Sequence, residues 1–255
     1  VVVTGSSRGI GQGIAEMFGG EGSYVAGLDV RDGEETAGLA GERFRHFHCD
    51  LEQPQEIAEA FLQIDEHFGG PPDVLCAVAG IAPLVTFLDT DVETFDRIMA
   101  VNVRAVFVCG QEASRRMREA GGGRIVNIAS TASVQAWDQQ AAYGASKGAV
   151  ALLTKCMAVE LGQYGIAVNA VGPGSVVTPL SRQSLEDPVY AASELNRTAV
   201  GRLGTPADIA AAVRFLACDA RWLTGQVIYV DGGFLATGYR PPGELGGDAG
   251  AGHGG

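Results

Sequence analysis

The chain has 255 residues, 46% hydrophobic and 19% charged, which is enough to bury one sizeable core in a globular domain. A formal net charge of −12 leaves no basic stripe for a phosphate backbone, so no nucleic-acid partner is expected, and an acidic carrier protein is disfavoured on the same ground. No apolar run reaches the roughly 18–20 residues of a membrane span, so no membrane partner is expected either.

Short β-branched runs alternate with longer amphipathic stretches, the pattern of an α/β protein with a parallel sheet and helices on both faces. Strands are predicted at 1–3, 23–29, 44–49, 73–78, 124–129, 166–171 and 226–230, about seven in all. Helices are predicted near 9–19, 54–68, 91–119, 143–163 and 206–218. Val1-Val2-Val3 and Ile166-Ala167-Val168 lack polar alternation, as strands buried on both faces do. The sequence opens at Val1 inside a strand-like run without an initiator Met, which implies residues lost upstream.

Directly after the first strand comes Thr4-Gly5-Ser6-Ser7-Arg8-Gly9-Ile10-Gly11, at the start of a predicted helix. Glycines allow a tight turn and close backbone approach, and a helix N-terminus offers unpaired N–H groups to a pyrophosphate. The spacing is G-x-x-x-G-x-G, rather than the commoner dinucleotide G-x-G-x-x-G. Asp29 closes the second strand, 24 residues after Gly5, where an adenosine ribose would lie. A carboxylate there accepts ribose hydroxyls and repels a 2′-phosphate, so NAD is favoured over NADP. Arg8 argues the other way, because an Arg in this loop could pair with that phosphate. Asp29 stands where the phosphate itself would go, and NAD is therefore the expected cofactor.

His46 and His48 share one strand face, but no third ligand is near in sequence and no metal is expected. The cysteines (Cys49, Cys76, Cys109, Cys156, Cys218) are odd in number, far apart and mostly within apolar runs. They read as buried reduced thiols, and a reducing, cytoplasmic location follows. Arg115, Arg116 and Arg118 read as one solvated helix face.

Tyr143 and Lys147 lie at i, i+4 at the start of a helix, on one side of it, and Ser130 ends the preceding strand. Gln135 and Trp137 fall in the loop between them, where substrate contact is expected. The stretch from Gly172 to about Gly204 is too long for an ordinary connection and is expected to be an irregular lid, over about 175–204. Residues 238–255, with Pro241-Pro242 and many glycines, read as a flexible tail after a single domain over 1–237.

In order along the chain, Thr4-Gly5 to Gly11, Asp50-Leu51, Asn102, Ser130, Tyr143 to Lys147, Pro173-Gly174 and Asp231-Gly232-Gly233 resemble the motifs of the short-chain dehydrogenase/reductase family. The resemblance runs from Val1 to about Thr237. It implies a single-domain Rossmann-type, doubly wound parallel sheet and an NAD-dependent oxidoreductase that interconverts a secondary alcohol and a ketone. By resemblance, Tyr143 is the general acid/base, Ser130 holds the substrate oxygen, Lys147 lowers the tyrosine pKa and holds the nicotinamide ribose, and Asn102 carries a relay water. Asp50 and Leu51 are implied at the adenine, and Val176 and Thr178, after Pro173-Gly174, at the carboxamide. A homo-oligomer, dimer or tetramer, is implied through the helix from Tyr143 and the long helix before it.

One stretch departs from the family. Ala77-Val78-Ala79-Gly80 stands where Asn-Asn-Ala-Gly is usual, which puts sheet-stabilising hydrogen bonds in doubt while leaving the Val78, Ala79 and Gly80 backbone free to approach the cofactor. Two rival readings remain: an NADP-dependent carbonyl or 3-oxoacyl reductase, and a dinucleotide-binding scaffold without turnover.

Overall fold

Val2 and Val3 are adjacent, yet they feed opposite cores, as the two-residue period of a strand requires. The computed structural model describes residues 1–237, so the predicted tail lies outside the described residues. The strands are β1 (Val2–Thr4), β2 (Val25–Asp29), β3 (Phe44–His48), β4 (Val74–Ala77), β5 (Gly123–Ile128), β6 (Ile166–Pro173) and β7 (Val227–Val230). They form one parallel sheet in the order β3-β2-β1-β4-β5-β6-β7. The strand order reverses between β1 and β4, and in doubly wound sheets ligands bind at that crevice.

Helices cover both faces: α1 (Gly9–Gly20), α2 (Glu34–Ala40), α3 (Pro54–Phe68), α4 (Val92–Met99), α5 (Ala105–Ala120), α6 (Ala141–Leu161), α7 (Arg182–Leu185), α8 (Pro188–Arg197) and α9 (Pro206–Arg214). One core joins Val2, Leu28, Phe47 and Leu75 to Ile57, Phe61 and Ile64 of α3 and to Cys109, Ala113 and Met117 of α5. The other joins Val3, Val25, Cys76 and Val126 to Ile14 and Phe18 of α1 and to Ile209 and Val213 of α9. Strands sandwiched this way have no wet face, which is why their sequences run apolar without alternation.

Four expectations need correction. The helix predicted over 91–119 is interrupted by a π-helical turn at Ala100–Arg104, between α4 and α5. The stretch 175–204 is not irregular, since it carries α7 and α8, and Asp187 caps α8 by accepting from Val189 N at 2.8 Å. No element was expected between Asp29 and Phe44, yet α2 forms there, tied down by a hydrogen bond from Thr36 Oγ1 to Ser6 O at 3.0 Å. Arg116 does not lie on a solvated face. Its guanidinium pairs with Asp65 of α3 at 2.6 Å and with Glu112 at 2.7 Å, and stands 5.2 Å from the centre of the Phe61 ring.

The cysteines also divide: Cys49, Cys76 and Cys109 are buried, but Cys156 and Cys218 are exposed, and all five are free thiols. Burial pushes the Cys49 and Cys76 thiols up to about 12, so they act as small apolar residues. No described helix is long and apolar enough to cross a membrane.

Phe61 is fully buried where α3, α5 and the sheet meet. Phe61→Ala is expected to cost about 3–5 kcal/mol of stability. Urea unfolding followed by circular dichroism checks this, and a loss under about 1 kcal/mol would mean that the site collapses around the smaller side chain.

Candidate active site

The turn from β1 into α1 is set by contacts that only hydrogen can make. Gly5 has φ +67°, and a Cβ on it would stand 2.8 Å from Ala79 Cα. A Cβ on Gly11 would stand 2.1 Å from Gly5 O. Unlike α4, α8 and α9, which are capped by Asp91, Asp187 and Thr205, α1 has no side-chain cap and no acidic residue in its first turn. Its first N–H groups and partial positive charge therefore remain available to an anion.

Asp29 sits at the end of β2, nearly buried. Its Oδ2 accepts from Ser7 N at 3.1 Å and its Oδ1 from Arg31 N at 3.0 Å, so it braces the glycine-rich turn as well as facing the cleft. Ser7 does not line the cleft, because its backbone and hydroxyl are turned to Asp29 and Arg31. Arg8 and Arg31, both exposed, line the cleft together with Asp29. Arg31 escaped the sequence reading, although it follows Asp29 by only two residues. Asp50 and Leu51 both line the cleft; Asp50 accepts from Glu52 N at 2.9 Å, and Leu51 also packs into the core.

On the other side of the switch point, Thr4 Oγ1 accepts from Val78 N at 2.9 Å and from Ala79 N at 3.1 Å. One hydroxyl thus holds the backbone where amide side chains are absent. On β5, Asn127 stands in register with Ala77. Its Nδ2 donates to Thr154 Oγ1 at 2.9 Å, but its buried Oδ1 has no partner among the described residues.

Asn102 lies in the π-helical turn, fully buried and outside the cleft lining. Its Oδ1 accepts from Ile81 N at 2.9 Å, and its Nδ2 donates to Ile81 O at 2.9 Å and to Ser146 Oγ at 3.0 Å. Ser146 in turn donates to Tyr143 O at 2.6 Å. A chain of hydrogen bonds therefore runs from the loop after β4 to the first turn of α6, and π-turns of this kind recur at functional sites. Ser146 was missed in the sequence, where it reads as one more small helical residue beside Lys147.

Ser130, Tyr143 and Lys147 all line the cleft. Ser130 follows β5 and caps a short 3-10 turn by accepting from Ala132 N at 3.1 Å. Lys147 is 4% exposed, and its Nζ donates to Ile128 O at 2.8 Å. Burial lowers its pKa from 10.5 to about 8. The protein alone does not lower Tyr143 as expected: burial pushes the phenol up, and the Ser130 hydroxyl pulls it back. The Lys147 ammonium stands 5.8 Å from the centre of the Tyr143 ring.

These loops enclose a cleft of about 490 Å³, lined also by Gly9, Ile10, Gly80, Pro173, Gly174, Val176 and Thr178. Trp137 lines it and also stacks on Phe234, with centres 5.1 Å apart. Gln135 does not line it, whereas Gln140 does.

A family model described as Enoyl-(Acyl carrier protein) reductase matches residues 5–235. A short-chain dehydrogenase/reductase of Armillaria gallica is 37% identical, over 92% of this chain and 95% of its own. The chain belongs to the short-chain dehydrogenase/reductase family. Another relative, the NAD-dependent glycerol dehydrogenase of Listeria innocua, is 35% identical over 91% of this chain and 92% of its own. The solved structure described as an NAD(P)-dependent gluconate 5-dehydrogenase of Beutenbergia cavernae, with NADP bound at low occupancy, superposes with a TM-score of 0.88. It is 35% identical and covers 92% of this chain and 96% of its own. As a short-chain dehydrogenase/reductase, the protein is an oxidoreductase of small organic substrates.

In this family member the buried ammonium has a stability consequence. The folded state holds the Lys147 proton less tightly than the unfolded chain does, so the charge costs stability below about pH 8. That cost fades as pH climbs from about 8 towards 10.5, where both states lose the proton. Lys147→Met is therefore expected to raise stability at pH 7 by about 1–3 kcal/mol, with the gain shrinking through that window. Thermal melts of both proteins from neutral to strongly alkaline pH check this, and a variant less stable at pH 7 would show that the bond to Ile128 O outweighs desolvation.

Proposed function

We propose that the protein interconverts an uncharged secondary alcohol and its ketone using NAD(H). The observation that carries this reading is the convergence of Ser130, Tyr143 and Lys147 on a cleft that also holds the open N-terminus of α1 and the Asp29 carboxylate. The glycine-lined turn fits a pyrophosphate, since a Cβ at Gly5 or Gly11 would fill the space through which the backbone approaches. Gly5, Arg8, Gly9, Ile10 and Gly11 would hold the phosphates, with Ser7 acting through Asp29. Asp29 would hold the adenosine ribose, Asp50 and Leu51 the adenine, and Val176 and Thr178 the carboxamide. The cofactor, when bound, supplies hydride acceptance in oxidation and hydride donation in reduction.

The remaining chemistry belongs to side chains. Tyr143 Oη takes the alcohol proton in oxidation and returns it in reduction. Ser130 Oγ holds the substrate oxygen beside it and stabilises the phenolate. Lys147, positively charged at neutral pH, favours the phenolate electrostatically and grips the ribose. Both amide protons of Asn102 are engaged, so the relay water assigned to it falls to its main-chain carbonyl. The lid over 175–204 closes on the substrate.

The charge pattern of the cleft bears on the substrate. Every acidic or basic group lining it comes from the end of β2, the loops after β1, β2 and β3, or α4, except Lys147. From Ser130 onward the described lining is otherwise neutral, including Trp137, Gln140, Leu180, Leu185 and Tyr190. A carboxylate or phosphate substrate would be desolvated there with no cation to meet it beyond Lys147, whose ammonium is already bonded to Ile128 O. A second cofactor reading has one observation in its favour: Arg8 and Arg31 both reach the cleft beside Asp29, so a 2′-phosphate would find two cations as well as one repelling carboxylate.

Exposure on α5 and α6 supports a homo-oligomer. Phe107, Leu152 and Val159 are 47%, 63% and 84% exposed. A Leu152→Glu, Val159→Glu double variant is expected to lower the mass seen by light scattering to that of a single chain. An unchanged mass would place the contact elsewhere.

The function itself is tested with uncharged secondary alcohols and polyols, and with gluconate, in the presence of NAD⁺ or NADP⁺ at mildly alkaline pH. Absorbance of the reduced cofactor is followed. Turnover of a neutral alcohol with NAD⁺, falling about 10²–10⁴-fold in Tyr143→Phe, is the expected result. Turnover confined to NADP⁺ would show that Arg8 and Arg31 outweigh Asp29, and preference for gluconate would refute the uncharged substrate.

A further inference from the structure

Beyond the residues assigned so far, the lid carries a carboxylate almost closed off from solvent. Glu194 of α8 is 2% exposed and accepts a hydrogen bond from the Ser175 hydroxyl. Ser175 follows Pro173-Gly174 at the end of β6 and lines the cleft. Its carbonyl accepts from Gly204 N at 2.9 Å, and Val177 N donates to Gly204 O at 2.9 Å. The strip 175–178 is therefore held by the Gly204 backbone, by the Ser181 hydroxyl, which donates to Val176 O at 2.6 Å and accepts from Thr178 N at 3.0 Å, and, at its Ser175 end, by the Glu194 side chain of the lid helix.

Burying a carboxyl is costly unless a hydrogen bond answers it, and a helix that needed only apolar anchorage would be better served by Leu at this place. Burial pushes the Glu194 carboxyl up, against the pull of Ser175 and the Arg197 cation, so desolvation of this group is real. Thr198 Oγ1 donates to Glu194 O at 2.9 Å and fixes the end of α8 from which the side chain projects. Three residues on, Arg197 places its guanidinium 3.8 Å from the centre of the Phe234 ring, and Phe234 stacks on Trp137 of the opposite wall. One helix thus grips the strip after β6 through Glu194 and the loop after β5 through Arg197.

We propose that Glu194 is a positioning residue which, through Ser175, holds the strip 175–178 against the nicotinamide and couples the lid to cofactor binding. The inference rests on the reading that this strip meets the carboxamide. A strip already held in place loses less conformational freedom when the dinucleotide binds, and affinity rises accordingly. Glu194 needs no contact with substrate or cofactor for this, only an accepting oxygen facing Ser175.

The test needs no substrate. NADH is titrated by fluorescence into the wild-type protein, Glu194→Ala, Ser175→Ala, the double variant and Glu194→Gln, with NADPH as a parallel series. Each single Ala variant is expected to bind roughly tenfold more weakly. The double variant should be no weaker than either single one, because both remove the same bond. Glu194→Gln, whose amide oxygen still accepts from Ser175, should stay within about twofold of wild type. Unchanged binding in Ser175→Ala, additive losses in the double variant, or a Gln variant as weak as the Ala variant would each overturn the inference while leaving the cofactor reading standing. These outcomes remain readable if Glu194→Ala fails to fold, because Ser175→Ala removes only one hydroxyl and Glu194→Gln keeps the size and an accepting oxygen of the side chain. A wild-type protein that binds neither dinucleotide overturns the cofactor reading and this coupling with it.

Discussion

At the carboxyl ends of β1 and β4 the backbone of Gly5 comes so near Ala79 that no side chain fits between them, and Thr4 Oγ1 ties the two strands' exits together. The cleft depends on this approach. It brings the open end of α1 beside the loop that carries Gly80, and a Cβ on Gly80 would in turn stand 3.3 Å from Asn102 Oδ1 and 3.5 Å from Lys147 Nζ. Two glycines thus connect the nucleotide half of the cleft to the half where proton transfer is proposed. Any side chain at position 5 would drive the halves apart.

Around that approach the protein buries polar groups and answers nearly all of them. Asn102 is locked between Ile81 and Ser146, Lys147 against Ile128 O, and Asp29 between Ser7 and Arg31. Fixed dipoles and charges of this sort need little reorganisation during a reaction. Among the described residues, five buried polar atoms lack a partner: Ser6 Oγ, His46 Nδ1, Asp65 Oδ1, Ser114 Oγ and Asn127 Oδ1, the last in register with Ala77, where the family pattern is broken. The break also includes Val78, which lines the cleft.

Much of this was legible in the sequence because its signals are local. A glycine-rich turn must follow its strand directly, a carboxylate that ends β2 must lie at the same sheet edge, and Tyr143 and Lys147 at i, i+4 must share a helix face. The lid helices were less legible, although Asp187-Pro188 is a helix-start signal at short range. The helix α2 had only weak signals, Glu34 and Glu35 in its first turn and Gly41 past its end, and its seven residues are held by Thr36 to a carbonyl far away in sequence. Arg116 read as a surface charge because nothing local tells that Asp65 and Phe61 stand across from it.

By itself the sequence determined the sheet, the longer flanking helices and the residues proposed for proton and cofactor handling. Those follow from periodicity and from motifs short enough to be fixed by backbone geometry. The tertiary structure alone decided that Asn102 and Ser146 join into one hydrogen-bond chain, that Arg31 stands beside Asp29 in the cleft, and that Glu194 reaches Ser175 under the lid. Each joins residues distant in sequence or turned by a local fold, and such proximity exists only once the long-range packing has closed.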